Sequence, residues 1–451
     1  MRVKGLIIMM WVVGCLGHAQ DLYTLEKCKE MALQNNTKAQ NSRLSLYASE
    51  HTKKEAFTNY FPSVSVIGAG FRANKAIMDM SAMTEGLTQI MMALVEQGIL
   101  DPAALSGGSQ KTEMFEKGLI GAVMAVQPVF TGGQIYHGNK LAKLGVEAMR
   151  LQEAMSHEEI VIAVEQYFWQ IIALEEKLKT IAEAENLLLR VHTDVKNAVE
   201  AGIVNRNDLL KVELKQNELE SGKLKLTNGL MLLKIVLAQF IGAPSEGFDI
   251  DKTLIDNVIL AFDAGIDHSS ALNGRVEYRL LDKSIEAGAL QVKMEIGKYL
   301  PTVAVGVGWN AFQFDKGSPL AMDKNFGMAF ATVAVPVSDW WGGSHAIKKQ
   351  KIQLKIAENE KRNAAELMLI QMQQLRNEVE EAIQQVHLAD QAIASALENV
   401  RLNTDYYQAG TGLLIDLLDA QTTLQQTRDQ RTEALTLYCI TLAKYRQTTG
   451  Q

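Results

Sequence analysis

Residues 299–310 read Tyr-Leu-Pro-Thr-Val-Ala-Val-Gly-Val-Gly-Trp-Asn. After Pro301, the large apolar residues Val303, Val305, Val307 and Trp309 alternate with Thr302, Ala304, Gly306, Gly308 and Asn310. A period of two places the two sets on opposite faces of a strand, one greasy and one small or polar. A run of roughly ten residues with that pattern suits a tilted strand crossing a lipid bilayer.

The passage has a counterpart earlier in the chain. Tyr60-Phe61-Pro62-Ser63-Val64 matches Tyr299-Leu300-Pro301-Thr302-Val303, and Val126-Gln127-Pro128-Val129-Phe130 with Gly132-Gly133 matches Val335-Pro336-Val337 with Gly342-Gly343. Ala201-Gly202 followed by Asp208 returns as Ala409-Gly410 followed by Asp416, and Gly242 returns as Gly450. Pro128/Pro336, Gly202/Gly410, Asp208/Asp416 and Gly242/Gly450 all differ by 208 positions, so the chain is an internal duplication. Pro62, Pro128, Pro301 and Pro336 mark the strands: 63–72, 119–130, 302–311 and 327–337. Both faces of 119–130 are largely apolar, which also suits a strand of a soluble sandwich.

The expected organisation is a first repeat over 20–242, a connector over 243–275 and a second repeat over 276–451. Each repeat opens with a helix, followed by its strand pair; the first carries an insertion over 76–117. Helical hairpins over 134–242 and 344–450 complete them. Four strands cannot close a barrel, and open edges are not tolerated in lipid, so oligomerisation is required.

The hairpin helices are read from heptads. Ala365, Met372, Val379, Val386, Ile393 and Val400 recur every seven residues, with Met368, Leu375, Ala382, Ala389 and Ala396 three positions on, the seam of a coiled coil. Proline is scarce, at 7 in 451 residues, and Ala, Leu, Gln, Glu and Lys fill the long stretches, a helix-rich composition. At Gly202 and Gly410 these helices reach glycines suited to a left-handed terminus and the chain turns back. Asp208 and Asp416 stand at the start of the returning helices, where a carboxylate also suits a cap or the positive helix end.

The amino terminus reads as a secretory signal over 1–19: Arg2 and Lys4, the apolar run Leu6 to Val13, and the small-residue site Gly17-His18-Ala19. Val12-Val13-Gly14-Cys15 also resembles a lipobox. Acylation at Cys15 conflicts with a first helix running from about Thr24 to the membrane at Tyr60, whose start lies on the order of 55 Å from that surface. The tether from Cys15 to Tyr23 spans at most ~30 Å. Once the signal is removed, Cys28 and Cys439 remain, as a disulfide of an oxidising compartment or as two buried thiols. Beyond the signal no run of 18 uncharged apolar residues suggests a spanning helix.

The doubled order of these landmarks, with Arg275-Val276-Glu277-Tyr278 before the second strand pair, resembles the TolC-like outer membrane efflux proteins from about Leu22 to Gly450. The resemblance implies a mainly α fold with membrane β: a homotrimer whose four strands per chain form a 12-stranded outer-membrane barrel, continued by an α-helical barrel across the periplasm. It implies a non-enzymatic exit duct without a cofactor, working with a periplasmic adaptor (membrane fusion) protein and an inner-membrane transporter of RND or ABC type. At the periplasmic entrance it implies an acidic ring from Asp416 and Asp419, and a gate lock in which Tyr407 meets Asp208. The family's lock arginine falls on Gly412, so half of that lock is missing. The turns holding Gly202, Ile203, Val204, Gly410, Leu413 and Leu414 are expected to be exposed and to meet the adaptor.

Other classes fit less well. The net charge of -7, without a basic block, argues against nucleic acid. His157-Glu158-Glu159 lacks the second histidine of a zinc protease motif, Gly306-Val307-Gly308 lacks the third glycine and following helix of a nucleotide loop, and the methionines of 78–92 lack His or Cys company for a metal. A periplasmic adaptor would show one hairpin rather than two, and a purely structural coiled coil would leave four ordered strands unexplained. The cargo is not legible.

Overall fold

A computed structural model of the chain describes residues 22–74, 78–79, 81–96, 113–114, 117–255, 258–263, 265–314 and 323–450. The signal segment and Cys15 lie outside the described residues, as does part of the 76–117 insertion.

Two compact units are formed, neither following the sequence repeats. One comprises the described residues of 1–48, 147–283 and 359–451, the other those of 49–146 and 284–358.

The second unit is built on a four-stranded antiparallel sheet. Strands β1 (Ser63–Arg72), β4 (Lys117–Thr131), β5 (Thr302–Phe314) and β6 (Asp323–Ala334) run in that order, so β1 and β6 are its edges. The register confirms the alternation. Val305 lies opposite Gln127 and Ala331, Val307 opposite Ala125 and Ala329, and Trp309 opposite Val123 and Gly327. Gly327 makes room for the Trp309 ring, whose nearest atom would sit 3.3 Å from an added Cβ, and Gly306 does the same for Phe330 on the other face. Pro128 lacks an amide hydrogen for the ladder, and the register shifts between Pro128 and Phe130, leaving Val129 exposed.

The connection from β1 to β4 holds a two-residue strand pair, β2 (Met78–Asp79) with β3 (Glu113–Met114), and the helix α3 (Ser81–Glu96). Leu87, Ile90 and Met92 of α3 are exposed.

The fourth strand ends earlier than the sequence suggests. Pro128 stays inside β4, but its counterpart Pro336 leaves the sheet and opens a single 3-10 turn, Val337–Asp339. The following helix α8 (Trp340–Gln408) then begins before Ser344 and takes in Gly342 and Gly343. Their counterparts behave differently: Gly132 and Gly133 both have positive φ. A Cβ on Gly132 would lie 2.0 Å from the Gly297 carbonyl oxygen, and one on Gly343 would lie 2.7 Å from the Tyr299 ring. Both glycines therefore permit close approach, of backbone in one repeat and of an aromatic ring in the other.

Helices dominate the first unit. α4 (Gln134–Glu200) and α8 contribute to both units and are about 100 Å long at 1.5 Å per residue. α5 (Arg206–Ile241) and α9 (Leu414–Thr449) return from them. The heptad seam is a buried one: Met372, Leu375, Val379, Ala382, Val386, Ala389 and Ala396 are all inside. Gly242 and Gly450 end α5 and α9 in left-handed conformation at φ 74° and 75°.

The first helix is broken where the sequence shows an unbroken one. α1 (Leu25–Asn35) and α2 (Thr37–Thr58) are separated by Asn36, whose backbone is extended. Asn35 Nδ2 donates to the Ile241 carbonyl at 3.1 Å and Asn36 Nδ2 to that of Phe240 at 3.0 Å, closing the end of α5. Tyr23 bridges Ile250 of the connector, which carries the short helix α6 (His268–Leu272) before α7 (Val276–Gly297).

Cys28 and Cys439 are free thiols buried in the same apolar cluster as Val164, Phe168, Leu237 and Tyr438. Burial pushes the Cys28 thiol up to about 11 and Cys439 up to about 12, so both stay protonated.

One described helix is, by length and mean hydropathy, apolar enough to cross a membrane, although it holds no run of 18 uncharged apolar residues. An 18-residue window within α5 reaches a mean hydropathy of 1.5. Lys234 of that helix, however, pairs with Glu175 at 2.7 Å and Asp249 at 2.8 Å. An ammonium so held ties α5 to α4 and the connector.

Candidate channel entrance

The two helical turns share the backbone hydrogen bonds around their glycines. In the first, the Ala198 carbonyl accepts from Ile203 N at 2.9 Å and Val204 N at 3.4 Å. In the second, the Tyr406 carbonyl accepts from Thr411 N and Gly412 N, both at 3.0 Å. Gly202 and Gly410 lie at their centres with φ of 77° and 73°, and Asn205 and Leu413 precede the returning helices with extended backbones. Ala198 and Tyr406, Gly202 and Gly410, and Asn205 and Leu413 each differ by 208, so the duplication reaches individual hydrogen bonds.

Side-chain exposure divides the turn residues. Ile203 is 79% exposed and Leu413 is 66% exposed, whereas Val204 is half-buried. Leu414 departs from the sequence expectation: it is only 5% exposed. As the first residue of α9 it faces inward with Leu417 and Leu418, onto Leu188, Val191 and Val195 of α4 and Val212 of α5.

Asp416 and Asp419 are exposed, and their spacing of three puts them on one face of α9. Neither makes an ion pair with any described residue. Asp416 lies in the first turn of α9, where the helix end favours a negative charge, but the residue at the cap position is Leu413. Asp208 is placed differently, since Lys211 Nζ holds it at 3.0 Å.

Within the chain no hydrogen bond joins Tyr407 to Asp208. Tyr407 is half-buried beside the Leu188–Val195 cluster. Burial, and then the charges of Asp208 and Asp194, raise its phenol above the usual value, which keeps it a neutral donor. At Gly412, an added Cβ would lie 2.8 Å from Tyr406 Cβ and 3.1 Å from its backbone carbon. Any side chain there requires the end of α8 to move, so the turn is built for glycine.

Sequence reasoning noted Arg275-Val276-Glu277-Tyr278 without a role for it. Arg275 is buried, donates to Glu277 at 3.1 and 3.3 Å, and reaches Gln371 of α8 at 3.0 Å. Burial alone would raise the Glu277 carboxyl, but the Arg275 hydrogen bond and charge hold it below its usual range. Lys361 sits 4.4 Å over the Tyr278 ring and pairs with Asp282. The motif thus fastens α7 to α8.

A sheet of four strands attached to duplicated hairpins is the fold of outer-membrane channel protomers. The outer membrane protein VceC of Vibrio cholerae superposes with a TM-score of 0.74 at 12% identity, covering 94% of this chain and 96% of that one. MtrE of Neisseria gonorrhoeae, an outer membrane channel in its open state, gives 0.72 at 15% identity over 94% and 88%. CmeC of Campylobacter jejuni gives 0.74 at 13% over 94% and 85%. Residues 271–451 match the family described as outer membrane efflux protein. None of the curated proteins matches the chain in sequence. Family and fold are those of channel proteins, not of enzymes.

Proposed function

We propose that the chain is one protomer of an outer-membrane exit duct, and that three copies join their sheets into a closed 12-stranded barrel. The observation that carries this reading is the sheet itself. Among the described residues β1 and β6 have no strand beyond them, and Val64, Val66, Ile67, Met328 and Val333 of these edge strands are exposed in the single chain. Such an edge is stable in a bilayer only when it is paired. α5 supports an assembly too, because Leu210, Leu214, Met231, Leu232 and Ile235 remain exposed along it.

On this reading the protein resides in the outer membrane and extends into the periplasm. It receives cargo there from a periplasmic adaptor and an inner-membrane transporter, through an opening guarded by the Asp416 and Asp419 carboxylates of three chains. Tyr407 and Asp208, which share one neighbourhood, would meet more closely when the entrance is shut. The pump partner, not this wide duct, selects the cargo.

Planar-bilayer recording of the purified protein tests the reading. Steady conductance with cation preference is expected, and a protein that leaves the bilayer insulating refutes it.

A further inference from the structure

Four helix ends of the second unit adjoin its strands, and they share one pattern. Phe57 of α2 is followed, one turn further from β1, by Lys53 and Lys54. On α4 Tyr136 is followed by Lys140 and Lys143, and on α8 Trp341 is followed by Lys348. Ile296 of α7 has Lys293 at the same spacing. Separations of three, four and seven place each ring or isoleucine and its lysines on one helix face. All these side chains are exposed, Trp341 to 81%, and Lys140 Nζ lies 4.6 Å from the centre of the Tyr136 ring.

The charge of these segments departs from that of the chain. Residues 49–61, 132–146, 284–301 and 336–358 hold ten lysines and six carboxylates, in a protein whose net charge is -7. Among the described residues, only Lys298 of these lysines is ion-paired, with Glu295 at 2.7 Å. His137, between Lys140 and Lys293, is held below its ordinary value by burial first and then by those two ammonium groups. The positive field therefore reaches a neighbouring side chain.

We propose that this collar binds the anionic phospholipid headgroups of the leaflet bordering the helices. The inference rests on the outer-membrane reading above. Aromatic rings at a strand end lie at the level where acyl chains give way to headgroups, and lysines one or two turns beyond stand about 4–11 Å deeper in water, within reach of the phosphates. A zwitterionic surface offers the rings a place but gives the lysines no net charge to meet, so charge complementarity selects an acidic lipid.

The test uses the full-length protein reconstituted into phosphatidylcholine vesicles containing a minor fraction of phosphatidylglycerol. The protein is then extracted in mild detergent and its retained lipid measured by mass spectrometry. Phosphatidylglycerol should be enriched several-fold over its bulk fraction, less so at high salt. The enrichment should vanish in the combined variant Lys140→Gln, Lys143→Gln, Lys348→Gln, which should insert and assemble as the parent does. Insertion without enrichment, or enrichment that survives in the combined variant, overturns the inference alone. Failure of the parent to insert in any vesicle overturns the outer-membrane reading and this inference with it.

Discussion

Asp416 and Asp419 are exposed side chains without an ion-pair partner among the described residues, next to the apolar set Leu414, Leu417 and Leu418 that fixes the start of α9. A threefold ring would gather six such carboxylates and raise the local cation concentration. Replacing both, Asp416→Asn with Asp419→Asn, should lower cation preference and weaken block by multivalent cations in planar bilayers, with stability little changed because neither side chain is packed. Unchanged selectivity would mean that they lie away from the narrowest point. Two adjacent glycines give a second contrast at this scale. Gly342 has open space around its Cβ position, while Gly343 faces the Tyr299 ring at 2.7 Å. Gly342→Ala should therefore be neutral or stabilise α8 by about 0.5–1 kcal/mol. Gly343→Ala should destabilise by roughly 1–3 kcal/mol through overpacking. Thermal unfolding of the two variants in detergent should shift in opposite directions, or at the least fall in that order.

At the scale of elements, the two turns offer Ile203 and Leu413 outward while Leu414 is inside. If the turns meet an adaptor, photo-cross-linkers at Ile203 or Leu413 should capture it and one at Leu414 should not; capture only from the strand connections would place the contact elsewhere. Most elements were legible because their signals are local. The alternation after Pro301 gives β5, the heptads from Ala365 give α8, and two glycines with positive φ give the turns. What escaped depends on distant partners. Nothing near Asn36 announces a break, since its cause is the Phe240 carbonyl more than two hundred residues away. Pro128 and Pro336 match in sequence, yet one stays in a strand with neighbours on both sides and the other leaves an edge strand. The inward turn of Leu414 was hidden for a similar reason: its burial comes from α4 and α5. Of the candidate site, the turns were readable from their doubled glycines and the acidic pair only through the family resemblance, whereas the Lys211 partner of Asp208 and the crowding at Gly412 needed coordinates.

For the whole molecule, the sheet order fixes which connections share a side. β1 runs into the connection holding α3 and β4 returns from it, so a single crossing from the end of α2 leaves that connection at the opposite end of the sheet. Leu87 should accordingly be reached by protease or antibody on intact cells, and labelling only after permeabilisation would reverse the topology. The assembly itself is the more demanding consequence, because a four-stranded sheet with two bare edges cannot rest in lipid alone. The most direct measurement is native mass spectrometry of the detergent-extracted protein, paired with gel migration before and after heating. The account predicts a mass of three chains and a heat-sensitive slow band that collapses to the single chain. A protein that stays monomeric before heating, at concentrations where it is otherwise folded, would contradict it.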